Sequence, residues 1–413
     1  MKYLITILLL LSGLLIHAQE VEKNSLEYYQ QLAIQNNPSI AYADSEIQIA
    51  KQKTISSGAW SDPSINAGWA IAPVETKNGA LLGKVGVRQM LPKWGVPGLK
   101  RKAAKYISNT ASLKYQDSVN KLSKEVAISY YKLYLLEAKS VLFKKQLKNL
   151  ELLETNTITG FENDIKTLSD VLDIQIAQMK LKQQYDNLIE MQISAQYNFN
   201  LLIGQKPEHE IILPDSLSLP TDIQLRTNDL LQLESHPLIL AIAEREKANV
   251  INSKVQKRNK LPSLGLGVEY SFIEKQGDGV DAGKDAIMAS ISLSIPWQRK
   301  ALNSKVKEAE LRVQQAQLEH EKLQLTLQQS YLKFDADMKT AEQTYTSAIA
   351  IGQKLSQILA LTTTAFENGE STFGNVLVSD NKLVKNRISQ AEALVKYLIA
   401  KAELDYLITK GTK

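Results

Sequence analysis

Proline is confined to positions 38, 63, 73, 92, 97, 207, 214, 220, 237, 262 and 296, so residues 98–206 and 297–413 contain none. Glycine is also missing from 99–159 and from 297–351. Inside a helix proline costs about 3 kcal/mol and glycine about 1 kcal/mol. Stretches this long without either, rich in Lys, Gln, Leu, Ala and Glu, predict very long helices. At 1.5 Å per residue a helix of about 55 residues runs about 80 Å, more than the width of an ordinary domain. The periodicity agrees. Val119, Leu122, Val126, Ser129, Leu133, Leu136, Ser140, Phe143, Leu147 and Leu150 alternate three and four apart. That is a coiled-coil seam in which the two serines permit close approach.

The chain also repeats itself in order. NNPSI at 36–40 matches SHPLI at 235–239, and SDPSINAG at 61–68 matches KLPSLGLG at 260–267. Pro92 matches Pro296, GFENDIKTLSDVL at 160–172 matches AFENGESTFGNVL at 365–377, and NLLIG at 200–204 matches DYLIT at 405–409. Such order argues for duplication. The expected division is a first repeat over 19–204, a proline-rich linker over 205–227 and a second repeat over 228–413. Each repeat reads as a short helix, two proline-bounded segments and two long helices.

Residues 1–18 are expected to be a secretory signal peptide: Lys2, an apolar run over 4–16, then His17-Ala18 before Gln19. The run is too short to span a bilayer as a helix. With no cysteine in the chain, disulfides, zinc–thiolate sites, a cysteine nucleophile and an amino-terminal lipid–cysteine are excluded. His17, His209, His236 and His320 include no i, i+4 pair for a helical metal site. The 49 basic and 44 acidic residues are interspersed, which is not a nucleic-acid footprint. GALLGK at 79–84 lacks the spacing and Ser/Thr of a phosphate loop. DGVDAGKD at 278–285 lacks the spacing and terminal Glu of a calcium loop. No enzyme, cofactor or metal site is expected.

The proline-bounded segments carry the chemistry. Leu264, Leu266, Val268, Tyr270 and Phe272 alternate with Ser263, Gly265, Gly267, Glu269 and Ser271. Ile287, Ala289, Ile291, Leu293 and Ile295 alternate with Met288, Ser290, Ser292 and Ser294. These are two strands, each with one apolar and one small or polar face. The first repeat gives a weaker pair: Ile65, Ala67, Trp69 and Ile71, then Val85 and Val87. A soluble hairpin packing its apolar face on a core fits this alternation locally. A membrane barrel fits it too, through the strand length, the Ser/Gly face and the flanking Trp60, Trp94 and Trp297. Four strands cannot close a barrel, and an open edge in hydrocarbon is prohibitive, so transmembrane strands would require an oligomer. On the barrel reading Lys84, Arg88 and Glu269 share the polar parity and are the lumen candidates.

With its duplicated proline segments, alternating hairpins and paired Phe-Glu-Asn turns, the chain resembles the TolC family of outer-membrane efflux proteins. The resemblance implies a mainly α protein with a membrane β-barrel portion: a homotrimeric, twelve-stranded barrel in the outer membrane, continued by an α-helical barrel in the periplasm. It implies a passive conduit of a tripartite system, with a periplasmic adaptor and an inner-membrane pump of the resistance-nodulation-division type. MLPKWGVPG at 90–98 is similar to members paired with heavy-metal cation pumps. The turns, with Gly160 and Gly369 giving backbone freedom, would be the adaptor-docking tips: Phe161, Glu162 and Asn163, then Phe366, Glu367 and Asn368. Relatives narrow just past the turns at an acidic aperture with a D-V-L-D-type pattern on the second-repeat helix. Here DVLD stands in the first repeat, at Asp170 and Asp173, and the second reads NVLV with Asn375 and, beyond it, Asp380. These four are the aperture candidates, although Asp170 and Asp173 equally suit a helix start, where the macrodipole favours acids. Two other readings remain open at this point: a secreted coiled-coil structural or adhesive protein with a small soluble head, and a channel exporting polypeptides.

Overall fold

The computed structural model describes residues 25–219, 229–276 and 278–409. The expected signal peptide and the end of the inter-repeat segment lie outside them. In chain order the elements are α1 (Leu26–Asn36), α2 (Pro38–Ser56), β1 (Ser64–Thr76), β2 (Gly79–Met90), α3 (Val96–Glu162) and α4 (Leu168–Leu202). There follow α5 (Asp229–Gln232), a 3₁₀ turn (Leu233–Ser235), α6 (Pro237–Arg258), β3 (Ser263–Ile273), β4 (Ala286–Ser294), α7 (Arg299–Glu367) and α8 (Phe373–Ile408). The long helices therefore fill the proline-free stretches. No helix among the described residues is long and apolar enough to cross a membrane.

The duplicated x-Pro motifs are helix starts. Proline suits the first helical position because its missing N–H would be unsatisfied there anyway. The residue before it supplies the cap. Asn37 Oδ1 accepts from the Ser39 amide at 2.9 Å, and His236 Nδ1 accepts from the Leu238 amide at 3.3 Å. His236 is fully buried, and burial holds its pKa down at about 4, so its ring stays neutral and can accept.

The chain forms two compact units, and neither coincides with a repeat. One holds residues 25–40, 119–219 and 329–407 and is helical. Its seam on α3 is as the periodicity requires: Leu122, Val126, Leu133, Ser140 and Leu150 are buried, and the other five seam positions are half-buried. Tyr29, Tyr130 and Phe199 stack at 5.4–6.3 Å between ring centres in its core. The segment after α4 is bound to the helices: Asn200 Nδ2 donates to the Pro207 and His209 carbonyls, both at 2.7 Å. The Tyr134 hydroxyl accepts from the Leu217 amide at 3.0 Å.

The other unit, residues 41–118 and 229–328, holds the sheet. Its order is β1-β2-β3-β4, with every neighbour antiparallel. The register aligns whole rows across it. Ile65, Val87, Val268 and Ala289 form one row, and Ala67, Val85, Tyr270 and Ile287 another. The alternate rows are Ser64, Arg88, Gly267 and Ser290, and Asn66, Gly86, Glu269 and Met288. A soluble hairpin would bury the apolar rows. Here they are uncovered: Ile65 is 74% exposed and Ile291 78%, with Val87, Leu264, Leu266, Val268, Ile287 and Leu293 exposed as well. The outer edges of β1 and β4 have no strand partner in the sheet.

Candidate functional site: sheet face and helix turns

Strand register brings the three lumen candidates together. Arg88 lies opposite Gly267, Glu269 opposite Gly86, and Lys84 opposite Ser271, all on the polar face. Lys84 Nζ reaches Glu269 Oε1 diagonally at 3.1 Å, and both side chains are substantially exposed. An exposed pair of this kind contributes about 0–1 kcal/mol to stability. Its consequence lies in what an ion beside that face would meet: the Lys84 and Glu269 charges offset each other, and Arg88 adds a positive charge.

The two turns share one backbone design at the offset of 205 residues. The Asp164 amide donates to the Phe161 carbonyl at 3.1 Å and the Ile165 amide to the Gly160 carbonyl at 2.8 Å. In the second turn the Gly369 amide donates to the Phe366 carbonyl at 3.0 Å and the Glu370 amide to the Ala365 carbonyl at 2.8 Å. This pair of bonds is the Schellman closure of a helix end, whose defining residue takes the left-handed conformation. Gly369 does so with φ 78°, and Asp164 with φ 59°. The expected role of Gly160 is thereby corrected, since Asp164 makes the reversal. Gly160 instead leaves room for Lys166, whose Cγ would lie 2.7 Å from an added Cβ.

Lys166 links the two turns. Its ammonium donates to the Phe366 carbonyl and sits 3.6 Å from the centre of the Phe366 ring. The ring is 2% exposed, 6.1 Å from Phe373, in a core with Leu150, Ile174, Leu181 and Val376. The expectation that Phe161 and Phe366 are equivalent tip residues is therefore corrected. Phe161 is 43% exposed, whereas Phe366 is enclosed and offers no surface to a partner. Glu162, Asn163, Glu367 and Asn368 are exposed, and Asn163 Nδ2 donates back to the Thr159 carbonyl at 2.7 Å.

The four aperture candidates occupy different environments. Asp170 belongs to the start of α4. Its carboxylate accepts from the Thr167 amide at 3.2 Å and hydroxyl at 2.7 Å, while its own amide donates to the Thr167 hydroxyl at 3.2 Å. This is a reciprocal capping box. Burial works against its ionisation, but the Thr167 hydroxyl and amide, the Phe373 amide and the nearby Lys166 together hold its pKa below the usual carboxylate value. Asp173 is exposed. Asn375 is exposed and donates to the Ser371 hydroxyl at 3.0 Å.

Asp380 lies between helices, where its Oδ2 accepts from buried Gln146 at 2.6 Å. Burial raises its pKa, against the opposing pull of the Gln146 amide and the Arg387 charge. A carboxyl with a raised pKa holds its proton longer folded than unfolded. Its stabilising contribution is therefore present at low pH and lost as pH climbs from the ordinary carboxylate range to the raised value. Asp380→Asn keeps an acceptor for Gln146 and removes the buried charge. We expect this variant to unfold at a higher temperature than wild type at neutral pH, with a flatter pH profile, as measured by thermal unfolding in detergent. A lower neutral-pH midpoint would show that the charge itself holds the helices.

Sequence reasoning missed Lys166, Thr167, Asp164 and Gln146. The T-x-x-D spacing of 167–170 was the one available signal, as a capping-box pattern.

Among the described residues the chain combines long paired helices with an open four-stranded sheet whose apolar face is uncovered. Residues 231–409 match the family model for outer membrane efflux proteins. Solved structures share its fold over nearly all its length. The outer-membrane channel OprN aligns with a TM-score of 0.80 at 15% identity, covering 94% of this chain and 90% of its own. The outer membrane protein VceC of Vibrio cholerae gives 0.76 at 17%, covering 94% and 97%. CusC gives 0.78 at 15%, covering 94% and 93%. At these identities the likeness concerns the fold, and it does not single out CusC over the others. Comparison with curated protein sequences gave no match. The fold is the one these outer-membrane channel structures share.

Proposed function

We propose that three copies of this chain close a twelve-stranded barrel and act as the passive outer-membrane conduit of a tripartite efflux system. The observation that carries the reading is the four-stranded sheet with two open edges and uncovered apolar rows. Because the strands alternate in direction, β4 of one copy runs antiparallel to β1 of the next, and a ring closes without a mismatched pair. Four strands fall short of the eight that common small barrels need, and three copies supply twelve. A soluble coiled-coil protein would leave the apolar rows against water.

Each repeat, 19–204 and 228–413, contributes one hairpin and one helix pair to this assembly, and 205–227 joins them. The turns dock a periplasmic adaptor through Phe161, Glu162, Asn163, Glu367 and Asn368. The pump is of the resistance-nodulation-division type. Asp173 and Asn375 face the opening behind the turns, while Asp170 and Asp380 hold the helices that frame it. Lys84, Arg88 and Glu269 line the barrel lumen.

The mass of the detergent-solubilised particle tests the assembly. Three chains are expected, and a stable folded monomer would overturn the barrel. In planar bilayers, Lys84→Gln with Arg88→Gln should raise cation over anion permeability, because Glu269 is then unopposed. An unchanged ratio would remove these side chains from the lumen.

A further inference from the structure

The charge that looks evenly mixed along the chain is sorted at the two ends of the sheet. The starts of β1 and β3 and the ends of β2 and β4 meet at one end, which we call the base. Four segments adjoin the base: 57–63 carries one acid, Asp62, and no base, while 91–105 carries five basic residues, 254–260 four and 297–307 four, and none of these last three contains an acid. At the opposite end, residues 75–78 and 274–285 carry five acids and three bases.

The basic segments are fixed in place by bonds that leave charge unneutralised. Lys93 Nζ donates to the Asn259 carbonyl at 2.5 Å and Arg258 Nη1 to the Trp94 carbonyl at 3.0 Å. Lys257 is balanced by Glu310 at 2.9 Å. Lys100, Lys102, Arg299 and Lys300 are exposed.

The same band presents tryptophan. Trp60, Trp94 and Trp297 all lie just beyond strand ends at the base; Trp94 is 91% exposed and Trp297 89%. An uncovered indole beside a lipid-facing strand belongs at headgroup level. Clustered lysine and arginine at that level attract anionic lipid. An acidic protein partner would account for the lysines, but not for exposed indoles at the boundary of the apolar rows.

We infer that the base of the sheet is a binding collar for anionic phospholipid headgroups of the periplasmic leaflet. This rests on the membrane-barrel reading above. The collar would hold the barrel at a fixed depth and orient its basic end toward the periplasm.

The test uses the full-length protein reconstituted in vesicles of equal parts phosphatidylglycerol and phosphatidylethanolamine, then extracted gently for native mass spectrometry of retained lipid. Wild type should retain phosphatidylglycerol over phosphatidylethanolamine by about tenfold, given the strength of single basic residues at a headgroup surface. A variant combining Lys100→Gln, Lys102→Gln, Arg299→Gln and Lys300→Gln should bring the ratio near unity. Lys144→Gln, Lys148→Gln, Lys180→Gln and Lys182→Gln together make the same charge change in the helical unit and should leave the ratio as in wild type. Wild type that inserts and conducts but shows no enrichment would overturn the collar alone. Enrichment that survives the first variant, or is lost equally in the second, would do the same. Failure to insert in either lipid would overturn the barrel and the collar together.

Discussion

Phe366→Ala should destabilise the turn end of the helical unit by about 3–5 kcal/mol, the usual cost of emptying a buried aromatic site. Hydrogen exchange over 366–383 should lose its protection. Phe161→Ala should stay within about 1 kcal/mol, because Phe161 is exposed and leaves no cavity. The contrast comes from packing. Phe366 touches the core of Ile174, Leu181 and Phe373, and its ring also holds the Lys166 ammonium. Phe366→Asp would bury an unpaired carboxylate, so lost efflux in that variant would report unfolding and say nothing about docking. The docking variant is Phe161→Asp, which should abolish efflux while the assembly keeps its mass. If efflux survives Phe161→Asp, the turns are connectors only. If Phe366→Ala leaves exchange unchanged, the enclosed core at the turns is wrong.

Much of this architecture was legible because it rests on periodic physics. Helices follow from proline-free stretches, and faces follow from alternation. Alternation predicts the second hairpin over 263–272 and 287–295, and it spans Ser263–Ile273 and Ala286–Ser294. The first is less legible. It runs over Ser64–Thr76 and Gly79–Met90, but irregularities between Trp69 and Val74 and between Leu81 and Gly83 break the period of two. The turns were half legible. Duplication gave their positions, and both close with the same backbone bonds. It could not show that Asp164 takes the left-handed position or that equivalent phenylalanines face opposite ways. Which face of a helix is covered depends on neighbours distant in sequence, here Ile174 and Phe373. Asp380 was hidden for the same reason, since its partner Gln146 is 234 residues away. The basic collar was hidden by averaging. Its acid-free windows are visible in the sequence, but a whole-chain count of 49 against 44 erases them, and only strand order brings them to one end.

Strand parity offers the sharpest test of whether the sheet lies in hydrocarbon. Ile291 pairs with Leu266 on the uncovered apolar face, and its neighbour Ser292 points to the polar face opposite Gly265. Arginine on a lipid-facing position costs about 2–4 kcal/mol near the bilayer midplane and falls toward zero at the interfaces. Ile291→Arg should therefore fold into vesicles poorly, with a large loss of protease-resistant assembled protein. Ser292→Arg should assemble far better, because its side chain enters a wet lumen. Gly265 is a less clean comparison site: an added Cβ would lie 2.5 Å from Ser292 Oγ and 2.6 Å from Met90 Sδ, so those two side chains would have to shift and space would be mixed with polarity. Ser292 carries a side chain already and isolates polarity from space. A soluble sheet would respond differently. With both faces in water, neither arginine would meet hydrocarbon, and both variants would keep the protein folded without detergent. Equal assembly of Ile291→Arg and Ser292→Arg would remove the sheet from the membrane, and a difference in the reverse sense would put its polar face toward lipid. Only the predicted sense leaves the open edges of β1 and β4 needing a second and third copy of the chain.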